Sequence, residues 1–393
     1  MKRQTNSKLK QVVKPTSNRI VKSTPRSSLT KTTHKSVASE PNTVEDLDKI
    51  DGQLLELLAA RVRVLQSAAE QAKQSGQPLA HWDLQQRAAR IATAKAAEHK
   101  LSETLLTGWI KYAVSLCQQE VHLYQPIAYL GPIYSYSYLA AVKHFGSAAS
   151  LVPVATIAAV FDELVRGQAA FGVVPIENST DGRVVDTLGM FARWPVRVCG
   201  EVLLPVHHCL LGRCPRGEID EVYSKPQALS QCRGWLVQHV PNARLIEVAS
   251  TTAAARLAAE KDGVAAIASF EAGVHHGLDV IDENIEDNPH NLTRFAVIGN
   301  RPCEPTGRDK TSLMFQLKHQ PGALANAMVT FQQAKINLTW IESFPLPSHP
   351  NEYLFFVEFE GHEKLKSVAN ALHKLREQTI RLEVLGSYAR GVS

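Results

Sequence analysis

Residues 171–184 read FGVVPIENSTDGRV. Phe171-Gly172-Val173-Val174 run into Pro175 and Ile176, and Glu177-Asn178-Ser179-Thr180 follow without a spacer. An apolar run of strand length reads as a strand buried on both faces, as in a sheet covered by helices. In such α/β sheets ligands bind beyond the carboxyl ends of the strands. Four consecutive polar side chains stand at that end here, so the segment predicts both an α/β core and a site.

The flanking sequence repeats the logic. IAYLG (127–131) and SLVPV (150–154) read as strands; YSYLAAVKHFG (136–146) and TIAAVFDELVRG (156–167) read as helices, stopped by Gly146 and Gly167. Residues 196–212 form one long strand-like stretch, and the segments 218–224, 229–240, 244–250, 251–261 and 263–269 alternate strand and helix. The pattern predicts a largely parallel sheet with helices on both faces, in two lobes between residues 127 and 300. Beyond 301–310 the order is strand, helix, strand, strand, helix, strand to residue 389, a βαββαβ ferredoxin-like module. Upstream, Leu47, Ile50, Leu54, Leu57, Leu58, Arg61, Val62 and Leu65 follow helical spacing, with Glu45 and Asp46 in the first turn. Further helices at about 83–99 and 102–123 complete an all-helical unit. Three helices make a thin core, which predicts pairing with a second copy.

The chain has 393 residues, 44% hydrophobic and 21% charged, as expected for two or three domains. Its formal charge of +5 is misleading: residues 1–40 hold ten Lys/Arg and one acid, leaving 33 basic against 37 acidic residues in the rest. The Ser-, Thr-, Lys- and Pro-rich segment 1–42 reads as a disordered basic tail, and a nucleic-acid role for the folded body loses its support. No apolar run is long enough to span a membrane. The six cysteines are scattered without a C-x-x-C, so Cys209 and Cys214, beside His207 and His208, read as ordinary buried thiols in a cytoplasmic protein, and no metal is expected.

Five polar clusters lie at the ends of the expected strands: Glu177 to Thr180; Ser135-Tyr136-Ser137; Ser224 with Gln231; Ser250-Thr251-Thr252; and Thr293-Arg294. Singly, each reads as a cap or turn. Together they supply hydroxyls, amides and helix N-termini to one cleft, groups that hold carboxylates without attacking them. The predicted ligand is a small organic anion.

GVVPIENSTDGRVVDTL, the IAYLGP…KHFG opening, YSKPQALSQC, STTAAARLAA and NLTRFAVIG, in this order, resemble the prephenate dehydratase family. The following GAL…ALANAM…INLTWIESFP resembles the ACT regulatory domain, and residues 43–123 resemble the helical chorismate mutase domain of the bifunctional P-protein. The resemblance implies a multidomain chain: a mutase-like all-α domain (43–123), a two-lobed, periplasmic-binding-protein-like α/β dehydratase domain (126–303) and an ACT domain (308–390). It implies loss of CO2 and hydroxide from prephenate to give phenylpyruvate, with no cofactor, because aromatisation drives the reaction. Thr293 is then the hydrogen-bond or proton donor to the leaving hydroxyl. Asn178, Ser179, Thr180, Ser224, Gln231, Ser137, Ser250 and Thr251 line the pocket, and Arg294 pairs with a substrate carboxylate or braces its loop. Phenylalanine is the implied effector, held by Gly322, Ala323, Leu324, Glu342 and Ser343, in a homodimer or homotetramer.

Three departures from the family pattern stand out. Tyr134 replaces a loop glycine in Gly131-Pro132-Ile133-Tyr134-Ser135-Tyr136-Ser137, and Phe344 replaces an arginine after Glu342-Ser343. In the helical domain Val44 and Leu84-Gln85 stand where the family has charged residues; Arg61 or Arg63 and Lys73 fall out of register, and Gln118 is kept. With so few cations to hold a dicarboxylate, mutase catalysis is expected to be weak or lost and the domain kept for dimerisation. The competing readings are an arogenate dehydratase, a fully bifunctional mutase and dehydratase, and a non-catalytic amino-acid sensor.

Overall fold

The computed structural model describes residues 43–75, 81–121, 126–346 and 352–391; the basic tail, residues 1–42, lies outside them. Contacts divide the chain between Leu54 and Leu55. In the first unit residues 43–54 are helical, with Glu45 and Asp46 complementing the helix dipole and Leu47 and Ile50 exposed. They open helix α1 (Thr43–Ser75).

In the second unit the rest of α1 is followed by α2 (His81–Ala96) and α3 (Glu103–Glu120), which Ser102 caps by accepting from Leu105 N. Leu55, Leu57 and Val64 stay exposed on α1, as expected where three helices leave too little core. Ser115 Oγ of α3 donates to the carbonyl of Phe145 at 2.5 Å, tying the helices to the α/β body.

That body begins with β1 (Ile127–Leu130), α4 (Tyr136–Phe145), β2 (Leu151–Val154), α5 (Ile157–Val165), β3 (Phe171–Asn178), β4 (Gly182–Arg183), α6 (Val185–Arg193) and β5 (Arg197–Pro205). The chain then crosses to a second sheet built from β6 (Cys209–Gly212), β7 (Glu221–Ser224), α7 (Pro226–Gln231), α8 (Arg233–His239), β8 (Arg244–Glu247), α9 (Thr251–Glu260), β9 (Val264–Ala268), α10 (Phe270–His276) and β10 (Asp279–Asp282). It returns as β11 (Leu292–Gly299), inserted between β3 and β5. The first sheet has the order β2-β1-β3-β11-β5 and the second β10-β6-β9-β7-β8.

The sheets are mixed, not largely parallel. β1 pairs parallel with β2 and β3, but β11 runs antiparallel to both of its neighbours. In the second sheet β7 is parallel to β8 and β9, whereas β6 is antiparallel to β9 and β10. The double crossing explains this, because a strand that returns from the other sheet enters from the opposite end. It also splits the 196–212 stretch, whose residues 206–208 leave one sheet for the other.

The third sheet comprises β12 (Asp309–Gln316), α11 (Ala323–Gln333), β13 (Leu338–Pro345), β14 (Tyr353–Glu360), α12 (Lys366–Gln378) and β15 (Arg381–Ala389), in the antiparallel order β13-β14-β12-β15. Alternation sends Leu313 and Phe315 into a core with Phe331, Phe359 and Leu375, while Met314, Phe356 and Tyr388 join the core of the first sheet. β15 approaches β5 so closely that a Cβ on Gly386 would lie 2.1 Å from the Val198 carbonyl oxygen. Only glycine fits there.

Candidate active site

Asn178 ends β3, and the antiparallel register sets it directly opposite Thr293 on β11. An extra residue on β3, Ile176 beside Pro175, interrupts the ladder next to this pair. Proline, which lacks a ladder donor, is tolerated at such bulges, and a bulge re-aims the side chains beside it. Asn178 Oδ1 accepts from the backbone N–H groups of Thr180 (2.9 Å) and Asp181 (3.1 Å), closing an Asx turn. Since these partners are donors only, the other end of the amide is unambiguously the NH2. It donates to Thr293 Oγ1 at 2.8 Å and to Asn291 Oδ1 at 3.1 Å.

The chain of amides continues across the molecule. Asn291 Nδ2 donates to Gln231 Oε1 (3.1 Å), and Gln231 Nε2 donates to Asp181 Oδ2 (2.7 Å), which also accepts from Gln227. Asn178, Gln231 and Thr293 are therefore joined through Asn291, which is 2% exposed and sits on the return crossover between the sheets. Thr293 Oγ1 accepts from Asn178, so its own proton is directed elsewhere. A hydroxyl fixed as an acceptor by a buried amide is a preorganised donor.

The other expected residues have mixed placements. Ser179 Oγ accepts from Leu292 N (2.9 Å) and lies 3.4 Å from the His290 carbonyl, and Thr180 Oγ1 reaches Asn291 Oδ1 at 3.4 Å; both clamp the turn to the crossover. Ser224 is fully buried and donates to the Ile267 carbonyl at 2.7 Å, so its hydroxyl belongs to the second sheet. Ser250 caps α9 by accepting from Ala253 N, with Thr251 in the first turn. Beside it Thr252 Oγ1 is buried with no hydrogen-bond partner among the described residues. Ser137 is buried in the first turn of α4.

Arg294 is not available to a substrate carboxylate. Successive strand residues point to opposite faces, so while Thr293 enters the amide chain Arg294 turns toward the third sheet. There it meets Glu358 (Nη1–Oε2 2.5 Å, Nη2–Oε1 3.2 Å) and Glu201 (3.5 Å). Its Nε lies 3.1 Å from Glu177 Oε2, an ion-pair distance without hydrogen-bond alignment. Lys310 Nζ completes the cluster, 2.9 Å from Glu201 and 3.2 Å from Glu358. Burial alone would raise the Glu358 carboxyl, but Arg294 and Lys310 outweigh it and hold the group below the usual carboxylate range. The contacts of Arg294 are thus made with carboxylates, where a brace through backbone carbonyls was the expectation.

In the third sheet Gly322 caps α11 with a left-handed φ of +80°, Ala323 and Leu324 are half-buried in its first turn, and Glu342 and Ser343 lie on β13. Glu342 pairs with Arg183 of β4 at 2.9 Å, four residues beyond Ser179. Phe344 packs against Phe356 and faces Gly189 of α6. Tyr134 has a left-handed backbone (φ +64°), its ring tilted by 34° against that of His275 with centroids 4.3 Å apart. In the helical region Arg61 is half-buried, its Nη1 without a hydrogen-bond partner among the described residues, Gln118 is half-buried on α3, and the side chain of Lys73 lies outside the described residues.

Sequence reasoning missed Asn291, Asp181 and His208 as parts of the site, and named Tyr136 only within the Ser135-Tyr136-Ser137 cluster. The first two were within reach, being part of the N-x-T-R-F and S-T-D-G motifs. His208 carries no motif, because only the double crossing of the chain brings it near Gln231.

Comparison with known proteins agrees with this geometry. A family model described as prephenate dehydratase matches residues 127–303. The bifunctional chorismate mutase/prephenate dehydratase of Aquifex aeolicus is 36% identical over 364 residues, covering 88% of this chain and 97% of that protein. The crystal structure of a prephenate dehydratase from Arthrobacter aurescens in complex with L-Phe has a TM-score of 0.63 and 32% identity, covering 67% of this chain and 90% of that one. Another solved structure, titled as a quorum-quenching acylase, is 29% identical with a TM-score of 0.62, covering 68% and 98%. With a relative of this identity matched over nearly its whole length, the chain belongs to the family of bifunctional chorismate mutase/prephenate dehydratases.

Proposed function

We propose that the protein is a prephenate dehydratase of phenylalanine biosynthesis. The carbon–carboxylate bond of prephenate breaks, its electron pair enters the ring, and the ring carbon–oxygen bond breaks at the opposite carbon. CO2 and hydroxide leave, and the hydroxide departs against a hydrogen bond from Thr293 before solvent protonates it to water. Threonine is a poor acid, so its contribution is positional. The single supporting observation is the 2.8 Å bond from Asn178 Nδ2 to Thr293 Oγ1, in which the hydroxyl oxygen accepts and its proton is left for another acceptor. An acylase would need a nucleophile with a base beside it, whereas the nitrogen at Thr293 Oγ1 is a donor. Asn178, Gln231 and Thr180, with Ser179, Ser137 and Thr251 around them, form the pocket in a two-lobed, periplasmic-binding-protein-like domain at 126–303. Arg294, Ser224 and the Ser250 hydroxyl act structurally.

The third sheet is read as an ACT module (308–390) that senses phenylalanine through Gly322, Ala323, Leu324, Glu342 and Ser343. Residues 43–123 are read as a mutase-type domain, weak or inactive on chorismate through Arg61, Lys73 and Gln118, that pairs two copies in a cytoplasmic homodimer or homotetramer; the exposed Leu55, Leu57 and Val64 support pairing. Purified protein incubated separately with chorismate, prephenate and arogenate tests the reading. Phenylpyruvate from prephenate alone is expected; product from chorismate would restore the mutase, and turnover of arogenate alone would reassign the substrate.

A further inference from the structure

We propose that His208 is a positioning residue for this dehydration: it fixes the amide of Gln231 and, through Asn291 and Asn178, the hydroxyl of Thr293. The inference rests on the reading of Thr293 as the hydroxyl donor. His208 is 2% exposed and lies on the outgoing crossover between the two sheets. Its Nε2 is 2.9 Å from Gln231 Oε1 and its Nδ1 3.0 Å from the hydroxyl of Tyr136 on α4. Glu286 of the return crossover holds this segment in place, accepting from His208 N at 2.8 Å and pairing with His207 at 2.8 Å.

The orientations along this chain are determined from both ends. Backbone donors fix Asn178 at one end, and at the other the Asp181 carboxylate, an acceptor only, fixes the Gln231 NH2. Gln231 Oε1 therefore faces the imidazole, and His208 Nε2 must carry a proton. The opposite tautomer would bring two acceptors together, or turn the Gln231 oxygen against Asp181 and its NH2 against that of Asn291. A flipped Gln231 amide reverses Asn291, Asn178 Nδ2 loses its acceptor there, and the bond that orients Thr293 weakens. The Tyr136 hydroxyl donates to the His207 carbonyl at 2.7 Å, so its oxygen lies beside Nδ1 without fixing the tautomer, which the Gln231 side alone determines.

Two measurements on the full-length protein test this. In the wild type, 15N-histidine NMR should show His208 protonated at Nε2 and bare at Nδ1; the Nδ1–H tautomer would overturn the proposal. His208→Leu leaves Gln231 Oε1 without its donor, and kcat on prephenate should fall about tenfold or more, with a smaller change in KM. His208→Gln, which can place an NH2 where Nε2 stood, should regain most of that loss. Unchanged kcat in His208→Leu, a loss confined to KM, or equal losses in both variants would reject the positioning role. Should neither variant fold, the tautomer decides. Thr293→Val separates the two readings: if it turns over normally, the function assignment fails whatever His208 does, whereas a dead Thr293→Val beside a normal His208→Leu sinks only the present inference.

Discussion

Replacing Glu358 by glutamine tests how the third sheet is held to β11. Arg294 and Lys310 are 11% and 9% exposed at their side chains, and Glu201 and Glu358 are 4% and 1% exposed, so two cations balance two anions away from water. Glu358→Gln removes one anion with almost no change of shape, leaving an uncompensated buried positive charge. Breaking a buried pair in this way costs about 3–5 kcal/mol, a large part of the stability of an ordinary domain. Glu177, 36% exposed at its side chain, supplies the contrast. Solvent screens its pairing with Arg294, and Glu177→Gln should cost about 1 kcal/mol or less. Urea denaturation of both variants, followed by circular dichroism, measures the difference. Equal small losses would refute the claim that this cluster is a buried clamp. The pH dependence has a definite sign. Glu358 is held below its ordinary value of 4.5, so its contribution is complete above that value and disappears as pH falls through the lower folded-state value. Glu358→Gln should lack this acid limb.

Gly386→Ala drives a methyl into the Val198 backbone carbonyl; it should destabilise the protein by several kcal/mol and lower its melting temperature, whereas Gly307→Ala, which meets no atom, costs only its left-handed φ of +87°. Burial holds His208 and His144 below the imidazole value of 6.5, so the unfolded chain binds protons that the fold does not; the melting temperature should fall as pH drops below about 6.5. Arg183→Met breaks the 2.9 Å pair with Glu342 without touching the amide chain, so basal turnover should persist while inhibition by phenylalanine weakens several-fold in steady-state assays.

Local signals in the sequence carried much of the architecture. Gly146 and the Ser135, Thr156 and Ser250 caps mark helix ends that the structure keeps. The contiguous apolar residues Leu313, Met314 and Phe315 announce a strand covered on both faces, as the structure has it. What stayed hidden was non-local. Residues 196–212 are uniformly strand-like, so nothing in them signals that 206–208 change sheets, and with that crossing went the antiparallel pairs and the placement of His208. Arg294 shows the same limit at the site. Its neighbour Thr293 suggested a ligand, but strand alternation turned it toward carboxylates more than sixty residues away in the chain. Tyr134 adopts a left-handed backbone that usually favours glycine, with its ring against His275.

The most direct test of the account is the steady-state turnover of prephenate by Thr293→Val, a substitution that keeps the shape of the side chain and removes its one proton. The geometry predicts a fall in kcat of about a hundredfold or more with KM nearly unchanged. Turnover within about twofold of the wild type would mean that the leaving hydroxyl receives its hydrogen bond from some other group.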